Sequence, residues 1–311
     1  MKAEAILLMG FPASGKSTVA KQYIDQGYSY LNRDSLGGKV QSLAPMMMNE
    51  LSAGHNVLLD NTFPTVESRK QFIDGAKQTD CPVKCLVMGT SIEDAQFNAA
   101  LRMYQRKGRL LEPDDYKKEK DPNLFPPAAL FGYAKKFEEP TVAEGFDSVE
   151  KIPFVRKMGA EYCNKALILD YDGTLRKTKS GVNYPVTPDD VEILPGRSEK
   201  LLQYQKDGYK LLGVSNQSGI AKELVTDEMV RKCFDHTNDL LGVQIDYLFC
   251  PHGKFPIACY CRKPMPGHGV VLIEKYKLDR SQCIFVGDMT SDKTFAKRSG
   301  FKYVDQAVFF K

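Results

Sequence analysis

Short apolar runs alternate with helical stretches along this chain, and most of the runs stop at a polar or charged residue. In the first half the runs are Ala5–Met9, Tyr28–Leu31, Val57–Leu59 and a strand within Cys81–Met88. Between them Thr18–Tyr23, the stretch opened by Glu67–Arg69, and Ser91–Tyr104 have helical character. In the second half Ala166–Leu169, Lys210–Val214 and Ile284–Gly287 read as strands, and Thr226 stands where it would cap a helix over Asp227–Leu241. Short apolar runs with turn residues at their ends suit strands buried on both faces, and strand–helix alternation builds a parallel sheet. The pattern predicts an α/β protein. Val155 to Lys165 carries no apolar period and marks a boundary. It divides the chain into a domain over 1–155, a linker over 156–164 and a domain over 165–311.

Composition narrows the class only a little. The 311 residues are 42% hydrophobic and 26% charged, as in a globular chain long enough for two domains. A net charge of +4 permits an anionic partner without demanding one. Eight cysteines with no secretory signal argue against a disulfide framework. The first apolar run is too short to span or target a membrane. The expectation is a reducing, intracellular compartment, cytoplasmic or nuclear, and no membrane partner.

Gly10-Phe-Pro-Ala-Ser14-Gly15-Lys16-Ser17 follows the first strand and opens the first helix, the setting that a G-x-x-x-x-G-K-[ST] loop requires. Loop amides and the helix N-terminus would cradle phosphate oxygens, Lys16 would reach the outer phosphates and Ser17 would hold Mg²⁺. Gly10, Ser14, Gly15, Lys16, Ser17 and Thr18 are the candidate nucleotide contacts. The second strand delivers Asn32-Arg33-Asp34 to the same sheet edge, where ligands collect. Asp34 suits either a proton acceptor for a substrate hydroxyl or the cap of a helix beginning near Ser35. Asp60 suits the metal, the acceptor or a plain turn. Arg102 and Arg106 lie one helical turn apart, ahead of a charged, loop-like run to Asp121. That arrangement fits a lid over a triphosphate or an ordinary basic helix face. The first domain is thus P-loop kinase-like, with a parallel sheet.

Four stretches resemble the kinase domain of the polynucleotide kinase/phosphatase family, especially its animal type. They are Gly10–Thr18, Asn32-Arg-Asp-Ser-Leu-Gly37, Asp60-Asn-Thr-Phe-Pro64 and Gly132–Phe146, and they cover nearly all of residues 4–154. The resemblance implies ATP as donor, Asp34 as general base for a 5′-hydroxyl, and Arg102 and Arg106 as lid contacts. The phage enzyme carries a further arginine shortly after its base. Here that region reads Leu36-Gly-Gly-Lys39, so the contact is absent or replaced.

In the second half Ala166–Leu169 ends in Asp170-Tyr-Asp172-Gly173-Thr174. Residues two apart in an extended chain point the same way, so both carboxylates face one pocket. Such a pair suits a nucleophile and an acid/base partner, with a cation to hold the charge. Arg176-Lys177-Thr-Lys179 makes a basic turn beside it, suited to a phosphodiester backbone or simply solvated. Ser215 and Asn216 end the next strand, Arg262 and Lys263 precede Pro264, and Asp288 and Asp292 follow Ile284–Gly287. The first four are candidate phosphate contacts. Taken in order, aspartate pair, hydroxyl, lysine and acidic pair resemble the four motifs of the haloacid dehalogenase phosphatase superfamily. The resemblance implies that Asp170 attacks phosphorus to form an aspartyl-phosphate, and that Asp172 protonates the leaving oxygen and then activates water. It also implies that Ser215 and Lys263 hold the phosphoryl group, and that Asp170, Asp172, Asp288 and Asp292 surround Mg²⁺. Residues 175–214 and 216–262 leave no room for a large cap, so the expected domain is a capless, Rossmann-like phosphatase.

Cys250-Pro-His252 and Cys259-Tyr-Cys261 are closely spaced ligand pairs that can close a tetrahedral Cys₃His zinc site. With all four positions filled the zinc would be structural; free thiols are the alternative. This loop, 250–261, resembles the zinc loop of histidinol-phosphate and heptose-bisphosphate phosphatases, and it hands on directly to Arg262 and Lys263. Cys163, Cys233 and Cys283 are expected to be packing residues, and His55, His236 and His268 surface or turn residues.

A kinase followed by a phosphatase points to repair of nucleic-acid ends. The expected reactions are ATP-dependent phosphorylation of a 5′-hydroxyl and removal of a 3′-phosphate, on DNA or RNA. A small-molecule kinase fused to a histidinol-phosphate or sugar-bisphosphate phosphatase is the metabolic alternative, and the zinc loop favours it. Lys16, Asp34, Asp170 and Asp172 standing together argue against a scaffold without catalysis.

Overall fold

Five consecutive apolar side chains, Ala5–Met9, are buried on both faces as β1, the middle strand of a parallel sheet in the computed structural model, which describes residues 2–311. Along β1 alternate side chains enter different cores, as the period of two requires. Ala5, Leu7 and Met9 join Met47, Phe72 and Ile73, whereas Ile6 and Leu8 join Ala20. From β1 the chain continues through α1 (Lys16–Ile24), β2 (Ser29–Leu31), α2 (Arg33–Leu36), α3 (Leu43–Ser52), β3 (Val57–Asp60), α4 (Val66–Gln78), β4 (Val83–Met88), α5 (Ile92–Lys107), α6 (Ala128–Lys136) and β5 (Ser148–Ile152). The sheet order is β2-β3-β1-β4-β5. The chain therefore leaves β1 toward one edge and returns on its other side at β4. The loop after β1 lies at this switch point, where open α/β sheets bind ligands.

The second sheet repeats the plan. It runs β6 (Ala166–Leu169), β7 (Arg176–Thr178), β8 (Val191–Ile193), α7 (Arg197–Lys206), β9 (Lys210–Asn216), α8 (Asp227–Leu241), β10 (Asp246–Cys250), α9 (Gly267–Tyr276), β11 (Ile284–Gly287), α10 (Thr290–Ser299), β12 (Lys302–Asp305) and α11 (Gln306–Phe309). Its order is β10-β9-β6-β11-β12, all parallel, with β7 and β8 as a separate antiparallel hairpin. Here β6 is central, and its end is the switch point. The expected cap over Asp227–Leu241 is present: the Thr226 hydroxyl accepts from the Met229 amide at 3.2 Å. Residues 175–214 hold the hairpin, one helix and one strand, and no cap domain interrupts the described residues.

The chain divides into two compact units, Met1–Ala99 with Glu119–Arg156 and Ala100–Lys118 with Lys157–Lys311. Residues 100–118 thus group with the second unit, although the sequence pattern placed them in the first. Leu110 packs against Cys250, Cys259 and Cys261, and Glu112 pairs with His252 at 2.5 Å. The expected linker also shortens at both ends. Arg156 stays with the first unit, over the rings of Phe97 and Phe154 and bonded to Asn98 at 2.6 Å. Tyr162 and Asn164 donate to Glu274 and to the Tyr276 carbonyl. No helix among the described residues is long and apolar enough to cross a membrane.

Candidate active sites

In the first unit the loop after β1 is braced from behind. The carbonyls of Ser14 and Ala13 accept hydrogen bonds from Thr90 at 2.7 Å and Asn98 at 2.8 Å. Gly15 stands before α1 at φ 92°, a left-handed conformation that a side chain would oppose. The Lys16 ammonium bends over the loop to the carbonyls of Gly10 and Phe11, at 3.1 and 2.9 Å. Ser17 and Thr18 follow at the exposed start of α1. At the end of neighbouring β3, Asp60 is buried and accepts from the Tyr30 hydroxyl at 2.9 Å. Burial raises its pKa while Lys16 opposes the rise. Asp34 is not a helix cap, because Asn32 fills that place and accepts from the Ser35 amide at 3.1 Å. The Asp34 carboxylate is exposed, pairs with Arg33 at 2.5 Å, and bears electrostatically on Asp60. Loop, lysine and two carboxylates therefore converge on one sheet edge. Arg102 and Arg106, on the last turns of α5, belong to the stretch that groups with the second unit.

In the second unit β6 presents Asp170 at its tip. Lys263 is fully enclosed beside it. Its ammonium donates to Asp170 at 2.6 Å and to the Val214 carbonyl at 2.8 Å, and pairs with Asp292 at 2.8 Å. Burial opposes the charge on Lys263, but Asp170 and Asp292 outweigh it and leave its pKa raised. Burial also pushes the Asp170 carboxyl up, with Lys263 opposing and Asp292 reinforcing. Asp170, Asp288 and Asp292 bring one oxygen each within 4.8 Å of one another. Three carboxylates around one ammonium leave an excess of negative charge that a divalent cation would balance. Gly173 turns the chain at φ 82°, and a Cβ there would run into Asp288.

Asp172 does not join that carboxylate group, contrary to its expected place among the magnesium ligands. Its two oxygens accept from Arg176 and from Gln217, both at 2.8 Å. Arg176 is correspondingly no part of a phosphodiester-gripping turn. It is buried, donates also to the Cys233 carbonyl and the Thr237 hydroxyl, and lies over the Phe234 ring at 4.7 Å. Asn216, expected on the phosphate, is committed elsewhere: its amide exchanges hydrogen bonds with the main chain of Lys263, at 3.0 and 2.9 Å. Ser215 remains in the cleft, its oxygen accepting from Gln217 at 2.9 Å. Gln217 carried no role in the sequence pattern. In the structure Arg176 and Thr178 are buried and Lys177 is exposed, the alternation of a one-sided strand.

The cysteine and histidine side chains of the 250–261 loop lie close together. The Cys250 sulfur is 3.8 Å from that of Cys259 and 3.3 Å from that of Cys261; His252 Nδ1 is 3.4 and 3.2 Å from the sulfurs of Cys250 and Cys261. Tetrahedral bonds of about 2.3 Å would hold sulfurs roughly 3.8 Å apart, so the set fits zinc; all eight cysteines are free thiols. The other ring nitrogen, Nε2, meets Glu112. His268 is buried and Cys163 is exposed, each the reverse of its expectation. A cleft of about 730 Å³ joins Asp170, Ser215 and Lys263 to Arg262 and to the tip of this loop.

Residues 165–310 match a family model described as polynucleotide kinase 3 phosphatase. A bifunctional polynucleotide phosphatase/kinase of Schizosaccharomyces pombe is 36% identical over 152 residues, 49% of this chain and 34% of that one. The chain thus spans about a third of the length of this relative. A probable D-glycero-D-manno-heptose-1,7-bisphosphate 7-phosphatase of Thermoplasma volcanium is 37% identical over 139 residues, 43% of this chain and 92% of that one. The solved structure of a D,D-heptose 1,7-bisphosphate phosphatase from B. bronchiseptica, complexed with magnesium and phosphate, aligns with 45% of this chain and 79% of that one. The identity is 26% and the TM-score 0.41.

Proposed function

This chain belongs, through its second half, to the haloacid dehalogenase phosphatase family that includes the heptose-1,7-bisphosphate 7-phosphatases, and on that premise we propose that it heals nucleic-acid ends. Its first unit would phosphorylate a 5′-hydroxyl from ATP, and its second would remove a 3′-phosphate from DNA or RNA. The observation that carries this reading is the match of residues 165–310 to a polynucleotide 3′-phosphatase family, on the same chain as a phosphate-loop unit with its own candidate base, Asp34.

In the first reaction the 5′-oxygen attacks the γ-phosphorus and its proton passes to Asp34. The bond to the ADP oxygen breaks while loop amides and Lys16 hold the phosphates. In the second reaction an Asp170 oxygen attacks phosphorus, and the bond from phosphorus to the 3′-oxygen breaks. Asp172, aimed by Arg176 and Gln217, gives that oxygen a proton. Asp172 then takes a proton from water as water attacks the aspartyl-phosphate, which frees phosphate and restores Asp170. Lys263 and Ser215 face the phosphoryl oxygens. Asp170, Asp288 and Asp292 would hold Mg²⁺, which supplies charge neutralisation for the transferring group. Ser17 and Asp60 are the corresponding groups of the first unit. Zinc at Cys250, His252, Cys259 and Cys261 would be structural, fixing the loop that presents Arg262 and Lys263. Free thiols accord with an intracellular, reducing setting.

One oligonucleotide bearing a 5′-hydroxyl and a 3′-phosphate tests the reading by mass, after incubation with ATP and Mg²⁺. Gain of one phosphate at the 5′ end and loss of one at the 3′ end is expected. Asp34→Ala should remove only the gain, and Asp170→Asn only the loss. The match to nearly the whole length of a heptose-bisphosphate phosphatase favours a second reading for the second unit. Turnover of heptose bisphosphate with an inert 3′-phosphate would establish it.

A further inference from the structure

The cleft is far larger than a phosphoryl group, and its wall changes character from floor to rim. Asp170, Ser215 and Lys263 form a buried floor. Beyond them one part of the wall is the tip of the 250–261 loop, where Phe255 is 76% exposed and Ile257 also lines the cleft. Met289 lines the cleft as a further exposed apolar side chain. All four lining carboxylates, Asp170, Asp172, Asp288 and Asp292, belong to the catalytic group, while Lys254 and Arg262 add positive charge. The Lys254 ammonium stands 5.5 Å from the Phe255 ring. Phe255, Ile257 and Met289 make an apolar face that offers a polyhydroxylated leaving group no hydrogen-bond partner, while Asn183, Tyr184, Thr290 and Ser291 supply polar groups elsewhere on the wall. A flat aromatic surface flanked by cations instead suits a nucleobase and its neighbouring phosphodiester.

We propose that Phe255 and Ile257 form a stacking subsite for the terminal base of a 3′-phosphorylated strand, with Lys254 and Arg262 toward the adjacent phosphodiester. This rests on the polynucleotide reading of the second unit and names its recognition element. The subsite sits on the loop that the four candidate metal ligands close, with Phe255 eight residues before Lys263, so base recognition and phosphoryl chemistry are carried by one segment.

The test uses the full-length, zinc-loaded protein and three substrates. They are a 3′-phosphorylated oligonucleotide, the same oligonucleotide with an abasic terminal nucleotide, and acetyl phosphate, which has no ring to stack. Phe255→Ala should raise KM for the first about tenfold, as loss of one stacked base predicts. It should leave the abasic oligonucleotide and acetyl phosphate unchanged. Phe255→Trp should retain or improve KM for the first. Equal KM values for the base-bearing and abasic ends in the unaltered protein would overturn the subsite while leaving the polynucleotide activity standing. Equal losses by Phe255→Ala on all three substrates, with zinc content intact, would also overturn it by assigning the residue to loop packing. Inert oligonucleotides with active hydrolysis of heptose bisphosphate would instead overturn the reading on which the subsite rests.

Discussion

Asp172 is held at both oxygens, by a buried guanidinium and by an amide, so its direction is set before any substrate arrives. A general acid contributes about 10²- to 10⁴-fold when it is aligned, and alignment is what Gln217 adds. Gln217→Ala should lower kcat for the phosphatase reaction about 100-fold with KM within about twofold, and the kinase reaction in the same preparation should be unaffected. Single-turnover hydrolysis of a 3′-phosphorylated oligonucleotide measures it; an unchanged kcat would show that Arg176 alone suffices. The carboxylates proposed for the chemistry, Asp170 and Asp288, stand out because each follows an apolar run directly, which is a local pattern. The residues that aim Asp172 do not. Gln217 and Arg176 act through partners brought close by β6, β9 and α8, and a buried arginine in a basic run looks like a solvated one until the strand direction is known.

At the scale of elements, the metal loop and the stretch 109–118 form one assembly. Glu112 meets Nε2 of His252, which leaves Nδ1 toward the sulfurs. Leu110 covers the cysteine cluster. A carboxylate on the second nitrogen of a ligating histidine fixes ring orientation and strengthens the ligand, and its loss typically costs 10- to 100-fold in metal affinity. Glu112→Gln should weaken zinc retention by about tenfold in competition with a chromogenic chelator, whereas Glu112→Asp should recover part of the loss. Equal affinity in all three proteins would reduce Glu112 to a surface pair. Spacing alone brings out the four candidate ligands, since Cys250, His252, Cys259 and Cys261 lie within twelve residues. Nothing local could disclose Glu112, which arrives from another part of the chain.

At the scale of the molecule, two sheets each place their candidate site at the end of a central strand, β1 in one and β6 in the other. This much followed from apolar runs and glycine turns alone. What escaped was the fate of 100–118, because α5 begins in one unit and ends in the other, and helical periodicity carries no mark of such a transfer. Separate apolar cores around β1 and β6 predict two unfolding events, each answering to its own ligand. A ligand at about 100 times its dissociation constant stabilises the state that binds it by about 2.7 kcal/mol. For a unit of this size that shifts the midpoint by roughly 5–10 °C. Differential scanning calorimetry should therefore show an ATP analogue with Mg²⁺ raising one transition and leaving the other in place. Removal of zinc with a chelator should lower only the second. Lys16→Ala should cancel the first shift without touching the second, because the phosphate loop and the cysteine cluster share no core. A single transition moved equally by both treatments would mean that the two units unfold as one, and α5, which runs through both, would be the element to blame.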